Sequence, residues 1–359
     1  MWNQTAVSEL LKIDYPILQA GMAGGPAGAR LAASVSEAGG LGTLGAGYMK
    51  PGEIREAVRE IRRLTDKPFA VNLFIPEPYE EEDGTMERAR RLLQPYCREL
   101  GLAGEGPAAP KPYAEPFEEQ AQVLLEEKVP VFSFTFGVPS ADWIDAFKKE
   151  GILLIGTATT VAEGAHLESE GIDLVVGQGS EAGGHRGTFL GGHEQALVGT
   201  MALIPQLADT LHVPVIAAGG IMDGRGIAAS LLLGASGVQL GTAFLASPES
   251  GAHPRYKEAV LQSMEESTVV TRAFSGKAAR GIRNRFVVEM EQAEATLPPY
   301  PVQNALTREL RREAARQERI EFMSLWAGQG SRLATDVPAG VRVRELAAQT
   351  EEAFRRMHF

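Results

Sequence analysis

Short apolar runs rich in β-branched residues alternate with stretches of helical period along most of this chain. The runs lie at 16–20 (PILQA), 41–44 (LGTL), Phe69–Phe74 (FAVNLF), 129–136 (VPVFSFTF), 152–157 (ILLIGT), 172–176 (IDLVV), 213–218 (VPVIAA) and 237–240 (GVQL). Each reads as a strand buried on both faces. Between them, residues 31–38, Pro51–Leu64, 141–150, 160–170, part of 196–211 and 226–233 carry apolar residues at helical spacing. Strands alternating with helices predict an α/β fold, here a (β/α)8 TIM barrel, with its functional loops at the carboxyl ends of the strands.

Two stretches depart from the alternation. Residues 77–119 begin charged and turn rich in Pro, Gly and Ala at 101–116, which reads as an insertion holding one helix at 85–100, kinked or cut short at Pro95. Residues 251–359 are more charged and largely helical, with a break at Pro298, Pro299 and Pro301. The expected organisation is a cofactor-binding barrel from 1–76 and 120–250, with 77–119 and a mainly helical C-terminal extension, 251–359, capping the barrel mouth as a substrate domain.

Composition narrows the function. The 359 residues are 44% hydrophobic and 23% charged, as in ordinary soluble globular proteins. A net charge of −11 argues against nucleic acid and anionic membrane surfaces as partners. No signal-peptide pattern opens the chain, and no apolar run approaches the roughly 18 residues of a membrane span. A cytoplasmic protein is expected. Cys97 is the only cysteine, which leaves no disulfide framework and no cysteine-based zinc site. It lies in a helical stretch and reads as packing.

The chemistry concentrates at 172–187, IDLVVGQGSEAGGHRG, where a buried strand breaks into a polar loop holding Gly177, Gly179, Gly183, Gly184 and Gly187. Glycines this dense at a strand end suit close approach to a bound group. His185, which titrates near neutrality, is the natural acid or base there. His166, His193, His212, His253 and His358 fall in helices or connections and read as structural or solvated, and Ser180 as a loop hydrogen-bonder. Gly40-Leu41-Gly42-Thr43-Leu44-Gly45 fits G-x-G-x-x-G, but a helix precedes it and a strand runs through it, the reverse of a dinucleotide site.

A better phosphate site follows the seventh and eighth strands. Gly219-Gly220 and Gly241-Thr242 leave bare amides where such barrels bind phosphate. Asn72 and Gln178 carry amides into apolar strands, where a packed interior would leave them unsatisfied at a cost of about 1–3 kcal/mol each. A flavin ring edge, with alternating donors and acceptors, would satisfy both. Together with a cup for a single phosphate, these residues indicate FMN.

The segments PILQAGMAG (16–24), FAVNLF, GQGSEAGGHRG (177–187), VIAAGGI (215–221) and QLGTAFL (239–245) resemble the FMN-dependent nitronate monooxygenases, formerly called 2-nitropropane dioxygenases. The resemblance continues through SGKAARGIRN (275–284), PYPVQNALT (299–307) and SLWAGQG (324–330). It implies oxidation of alkyl nitronates such as propionate 3-nitronate by O2, giving a carbonyl compound and nitrite. It also places Asn72, Gln178, Gly183, Gly220, Gln239, Leu240, Gly241 and Thr242 at the FMN, with Ala20, Gly21 and Met22 against the isoalloxazine and His185 as the catalytic histidine. Tyr300 becomes a candidate for the substrate cleft. Lys277 and Arg280 become candidates for a counter-charge to an anionic substrate, with surface solvation as their other reading. The long tail offers surface for a homodimer. Similar barrel motifs occur in the FMN-dependent enoyl-ACP reductases, which use NAD(P)H and remain the alternative. A non-catalytic flavin- or phosphate-binding barrel is a third reading, against which His185 stands.

Overall fold

A computed structural model describes residues 1–79, 84–102, 107, 109 and 111–357. Eleven strands appear among them: β1 (Ile17–Gln19), β2 (Gly42–Gly45), β3 (Phe69–Phe74), β4 (Val131–Thr135), β5 (Leu153–Ala158), β6 (Leu174–Gln178), β7 (Gly184–His185), β8 (Val215–Ala218), β9 (Gly237–Leu240), β10 (Thr268–Thr271) and β11 (Ala279–Ile282). Eight run parallel in the order β1-β9-β8-β6-β5-β4-β3-β2. The seam between β1 and β2 is bridged at Leu18 and Leu41, with Gln19 N–H donating to Leu41 O at 2.9 Å, so the sheet nearly closes on itself. The predicted barrel is present, with helices around it.

Alternation along the strands sets what the barrel encloses. Leu18, Leu41, Ala70, Val131, Ile155, Leu174, Val176, Ile216 and Ala218 form an inner core, plugged from the amino end by Val7 and Leu11 of the helix Ala6–Leu11. Gly237 belongs here because a Cβ would come within 2.9 Å of Val7 Cγ1. Asn72 and Gln178 lie two residues beyond Ala70 and Val176, so the same parity turns them inward at the carboxyl end. The opposite parity packs the strands against the outer helices, burying Phe132, Leu154, Val175 and Ala217 with Leu31, Ile54, Phe147 and Leu207.

The G-x-G-x-x-G segment has the inverted order read from the sequence: the helix Ala29–Glu37 precedes it and β2 passes through it. Its glycines serve packing. A Cβ on Gly42 would sit 1.8 Å from Ala32 O, so only glycine lets that helix lie on the strand.

A second core joins the two stretches outside the alternation. Ala89, Leu93, Tyr96 and Cys97 of the helix Thr85–Glu99 pack with Phe274, Phe286, Val302, Leu306, Leu310 and Phe322. This helix runs through Pro95 without ending, and Tyr96 and Cys97 beyond it are buried. Most of the remaining stretch at 101–116 is described, whereas 80–83, 103–106, 108, 110 and the expectation for His358 lie outside the described residues.

Residues 251–359 are mainly helical, as expected, with two further features. First, β10 and β11 form an antiparallel pair to which β7 adds, Ala279 facing His185 and Arg280 facing Gly184. Second, the final helix, Ala339–Met357, lies on the barrel wall against Gly224–Leu232 and Ala29–Glu37, with Val343 and Leu346 in the outer core. It fills the place of a closing helix in the outer ring.

Candidate active site

The carboxyl ends of the barrel strands and the segment 298–330 enclose a cavity of about 660 Å³, within the usual range of small-molecule sites. The twelve residues expected at the cofactor or in catalysis line it: Ala20, Gly21 and Met22 after β1, Asn72 on β3, Gln178 on β6, Gly183 and His185 in the following loop, Gly220 after β8, and Gln239, Leu240, Gly241 and Thr242 at the end of β9; Tyr300 lines it as well. Residues far apart in sequence meet because parallel strands bring all their carboxyl ends to one face.

The loops after β8 and β9 are open toward the cavity. Among the described residues, the N–H groups of Gly219, Gly220, Gly241 and Thr242 donate to no protein acceptor. Gly219 and Gly220 have φ of +117° and +71°, which lets the turn present successive amides to one point. Segment 324–330 covers these loops: Gly328 N–H donates to Thr242 Oγ1 at 3.0 Å and Gln329 N–H to Glu181 O at 3.0 Å. The fit is close at Gly183, where a Cβ would stand 2.5 Å from the Ala327 and Gly328 backbone. These residues fit a flavin mononucleotide in size, in unpaired donors and in the glycines that keep the floor clear.

The two strand amides are accounted for differently than expected. Asn72 Nδ2 donates to Ser133 Oγ at 2.9 Å on the neighbouring strand. Gln178 donates to His185 O at 3.1 Å and accepts from Gly187 N–H at 2.9 Å. Protein groups therefore meet part of the cost assigned to a cofactor, and Gln178 holds the loop that carries His185. That loop is fixed from beneath by Arg186, a fully buried guanidinium donating to Gly179 O at 2.6 Å, Gln178 O at 2.8 Å and Ala196 O at 3.1 Å. Burial, with Arg280 nearby, lowers its pKa to about 10.

His185 stands among aromatic rings, with centroids 5.4 Å from Trp326, 5.8 Å from Phe136 and 6.0 Å from Tyr300. Burial first, then the charges of Lys277 and Arg311, depress its pKa to about 3, so the imidazole is neutral at physiological pH. Its Nε2 lies 2.8 Å from Ser275 Oγ, and that hydroxyl donates to Lys277 O at 3.0 Å. With its one proton on the carbonyl, Ser275 accepts from Nε2–H. Hydrogen-bond accounting thus assigns the lone pair to Nδ1.

Lys277 and Arg280 are not brought to the cavity. Lys277 Nζ is held by Glu77 at 2.7 Å and Thr188 O at 3.2 Å, and lies 4.6 Å over the Phe136 ring. Arg280 Nε donates to Ser180 O at 2.9 Å. Both are largely buried and committed to structure, so neither solvation nor a counter-charge describes them. Ser180 takes part in hydrogen bonding through its backbone, its N–H donating to Val198 O and its carbonyl accepting from Arg280. His253 caps the helix Pro254–Leu261 through Nδ1, as a structural histidine, yet it also lines the cavity.

Other lining residues were not singled out as site residues from the sequence: Phe74 and Phe136 at the ends of apolar runs, Tyr48, Trp326 and, on the helix Val302–Arg316, Asn304, Arg308 and Arg311. Asn304, Arg308 and Arg311 recur at helical spacing on one face of that helix, with Tyr300 just before it, a signal present in the sequence.

A nearly closed parallel barrel with phosphate-type loops after its last two strands and a half-buried neutral histidine over the mouth defines a small-molecule enzyme of the TIM-barrel class. The nitronate monooxygenase family model matches residues 4–349, and the chain belongs to that family of oxidoreductases. A probable nitronate monooxygenase of Staphylococcus haemolyticus is 49% identical over 337 residues, covering 93% of this chain and 94% of the relative. The nitroalkane oxidase of Streptomyces ansochromogenes superposes with a TM-score of 0.91 at 40% identity, over 98% of this chain and 100% of that one. FabK from Thermotoga maritima is also similar, with a TM-score of 0.79 at 34% identity over 99% and 98% of the two chains. Among the described residues no helix is long and apolar enough to cross a membrane.

Proposed function

We propose that this protein is an FMN-dependent enzyme that oxidises alkyl nitronates, such as propionate 3-nitronate, with O2 to a carbonyl compound and nitrite. Family membership supports nitronate oxidation in general. The observation that carries the finer reading is the convergence of bare amides at Gly219–Gly220 and Gly241–Thr242, a glycine-lined floor and His185 on one cavity. Bound there, FMN would supply the electron acceptance and the reactivity toward O2 that side chains lack.

The chain supplies position and electrostatics. The amides after β8 and β9 would hold the phosphate, Ala20, Gly21 and Met22 would back the ring, and Asn72, Gln178 and Gln239 would reach its edge. Gly183 lets the roof close over it. Neutral His185 takes the α-proton of a nitroalkane at Nδ1, or orients a nitronate already lacking that proton, while Ser275 holds Nε2. Phe136, Tyr300 and Trp326 keep water from the reacting carbon.

The absorbance spectrum of the purified protein, followed by aerobic assay with propionate 3-nitronate for O2 uptake and nitrite, tests the reading. A colourless protein that cannot be reconstituted with FMN overturns it. The similarity to FabK favours one alternative, an NAD(P)H-dependent enoyl reductase. Anaerobic mixing separates the two, because rapid bleaching by NADH marks the reductase and bleaching by a nitronate marks the monooxygenase.

A further inference from the structure

A neutral His185 cannot offset the charge of an anionic substrate, and Lys277 is already paired with Glu77. One lining cation is left differently placed. Arg311, on the helix Val302–Arg316, donates from Nη2 to Asn304 O at 2.9 Å and Oδ1 at 2.8 Å, and from Nε to Thr307 O at 3.4 Å. Its Nη1 makes no hydrogen bond and the guanidinium no ion pair among the described residues. Its electrostatic neighbours are Tyr48, Arg308 and Tyr300, with no carboxylate, and burial lowers its pKa. A half-buried cation with no carboxylate beside it attracts an anion more strongly than one in open solvent, and its free Nη1 leaves a donor for that anion.

Beside it, Tyr48 Oη is buried, and its neighbour is the Tyr300 hydroxyl, which donates toward it and leaves the proton of Tyr48 itself uncommitted. The other lining charges are differently engaged. Arg308 is exposed and donates to Tyr113 O at 3.2 Å, Arg312 faces Glu309 at 3.7 Å, and Glu115 is outside the electrostatic neighbours of Arg311.

We infer that Arg311 and the Tyr48 hydroxyl form a binding site for a planar two-oxygen monoanion, the shape shared by a nitronate and a carboxylate. A guanidinium edge matches two coplanar oxygens, and a phenol adds a third donor. The site deepens the proposed function, on which the identity of the anion rests, but the anion site itself does not depend on turnover.

The test uses the flavin-loaded full-length protein and three variants: Arg311→Met, Arg311→Lys and Tyr48→Phe. Calorimetric titration with propionate reads carboxylate binding, and steady-state assays compare ethyl nitronate with propionate 3-nitronate. Arg311→Met is expected to raise the propionate Kd or the nitronate KM by at least about tenfold, with kcat changed less. Arg311→Lys should restore part of the loss, and Tyr48→Phe should weaken binding severalfold. An effect shared by ethyl nitronate places the nitronate head at Arg311, and an effect confined to propionate and propionate 3-nitronate places the carboxylate there. Unchanged Kd and KM in both Arg311→Met and Tyr48→Phe overturn the inference while leaving nitronate oxidation standing. Should Arg311→Met fail to fold, Arg311→Lys and Tyr48→Phe decide by the same readings. A wild type that turns over no nitronate, yet binds propionate through Arg311, removes the proposed substrate and keeps the anion site.

Discussion

At His185, an imidazole that titrates near pH 6.5 in water has been enclosed by Phe136, Tyr300 and Trp326 and set near Lys277 and Arg311. Its folded pKa of about 3 lies below the unfolded value of 6.5, so between these pH values the unfolded chain binds the extra proton. This contribution to stability is fully present above pH 6.5 and declines as pH falls toward 3, by at most about 1.4 kcal/mol per unit. Thermal unfolding from pH 7 to 4.5 should therefore show a shallower loss for His185→Asn than for wild type. Equal slopes would mean that the ring is solvated in the folded protein. In turnover, kcat/KM for a neutral nitroalkane should show no histidine limb near pH 6.5, and His185→Asn should lower it by about 10²–10⁴-fold.

At the level of elements, β7 is only Gly184–His185, and it exists because β11 offers it an edge. Nothing in TVVT (Thr268–Thr271) or ARGI (Ala279–Ile282) marks a strand whose partner lies in a glycine loop a long way back in the chain. The same loop is seated on segment 324–330, where a Cβ at Gly183 would meet backbone rather than a yielding side chain. Gly183→Ala is thus expected to destabilise by about 1–3 kcal/mol and to weaken FMN retention, read by thermal unfolding and by flavin fluorescence on dilution. Undisturbed FMN affinity would show that the roof does not hold the cofactor in place.

For the whole molecule, the barrel's carboxyl face and the second core built on Thr85–Glu99 and 251–327 share one cavity, so a ligand there ties both cores together. FMN added to cofactor-free protein at about 100 times its Kd should stabilise the fold by about 2.7 kcal/mol, seen as a single transition at higher temperature. Two transitions, with only one moved by FMN, would show that the cores unfold separately.

The strands of the barrel were legible because each is buried on both faces and so must be apolar almost throughout. The glycine loops were legible because glycine most readily takes a positive φ and allows so close an approach of backbone. The amides of Asn72 and Gln178 were legible as exceptions, but their partners were not, since Ser133 and the backbone at residues 185 and 187 reach them only after the chain folds. Likewise Lys277, Arg280 and Arg311 look alike as charges in sequence. Which of them faces the cavity depends on the carboxylate or carbonyl that the fold brings beside each. Local sequence determined the elements and the floor of the site, through burial and backbone conformation. Tertiary structure decided the protonation of His185 and the setting of Arg311 with no carboxylate beside it among the described residues, because desolvation and pairing come from residues distant along the chain.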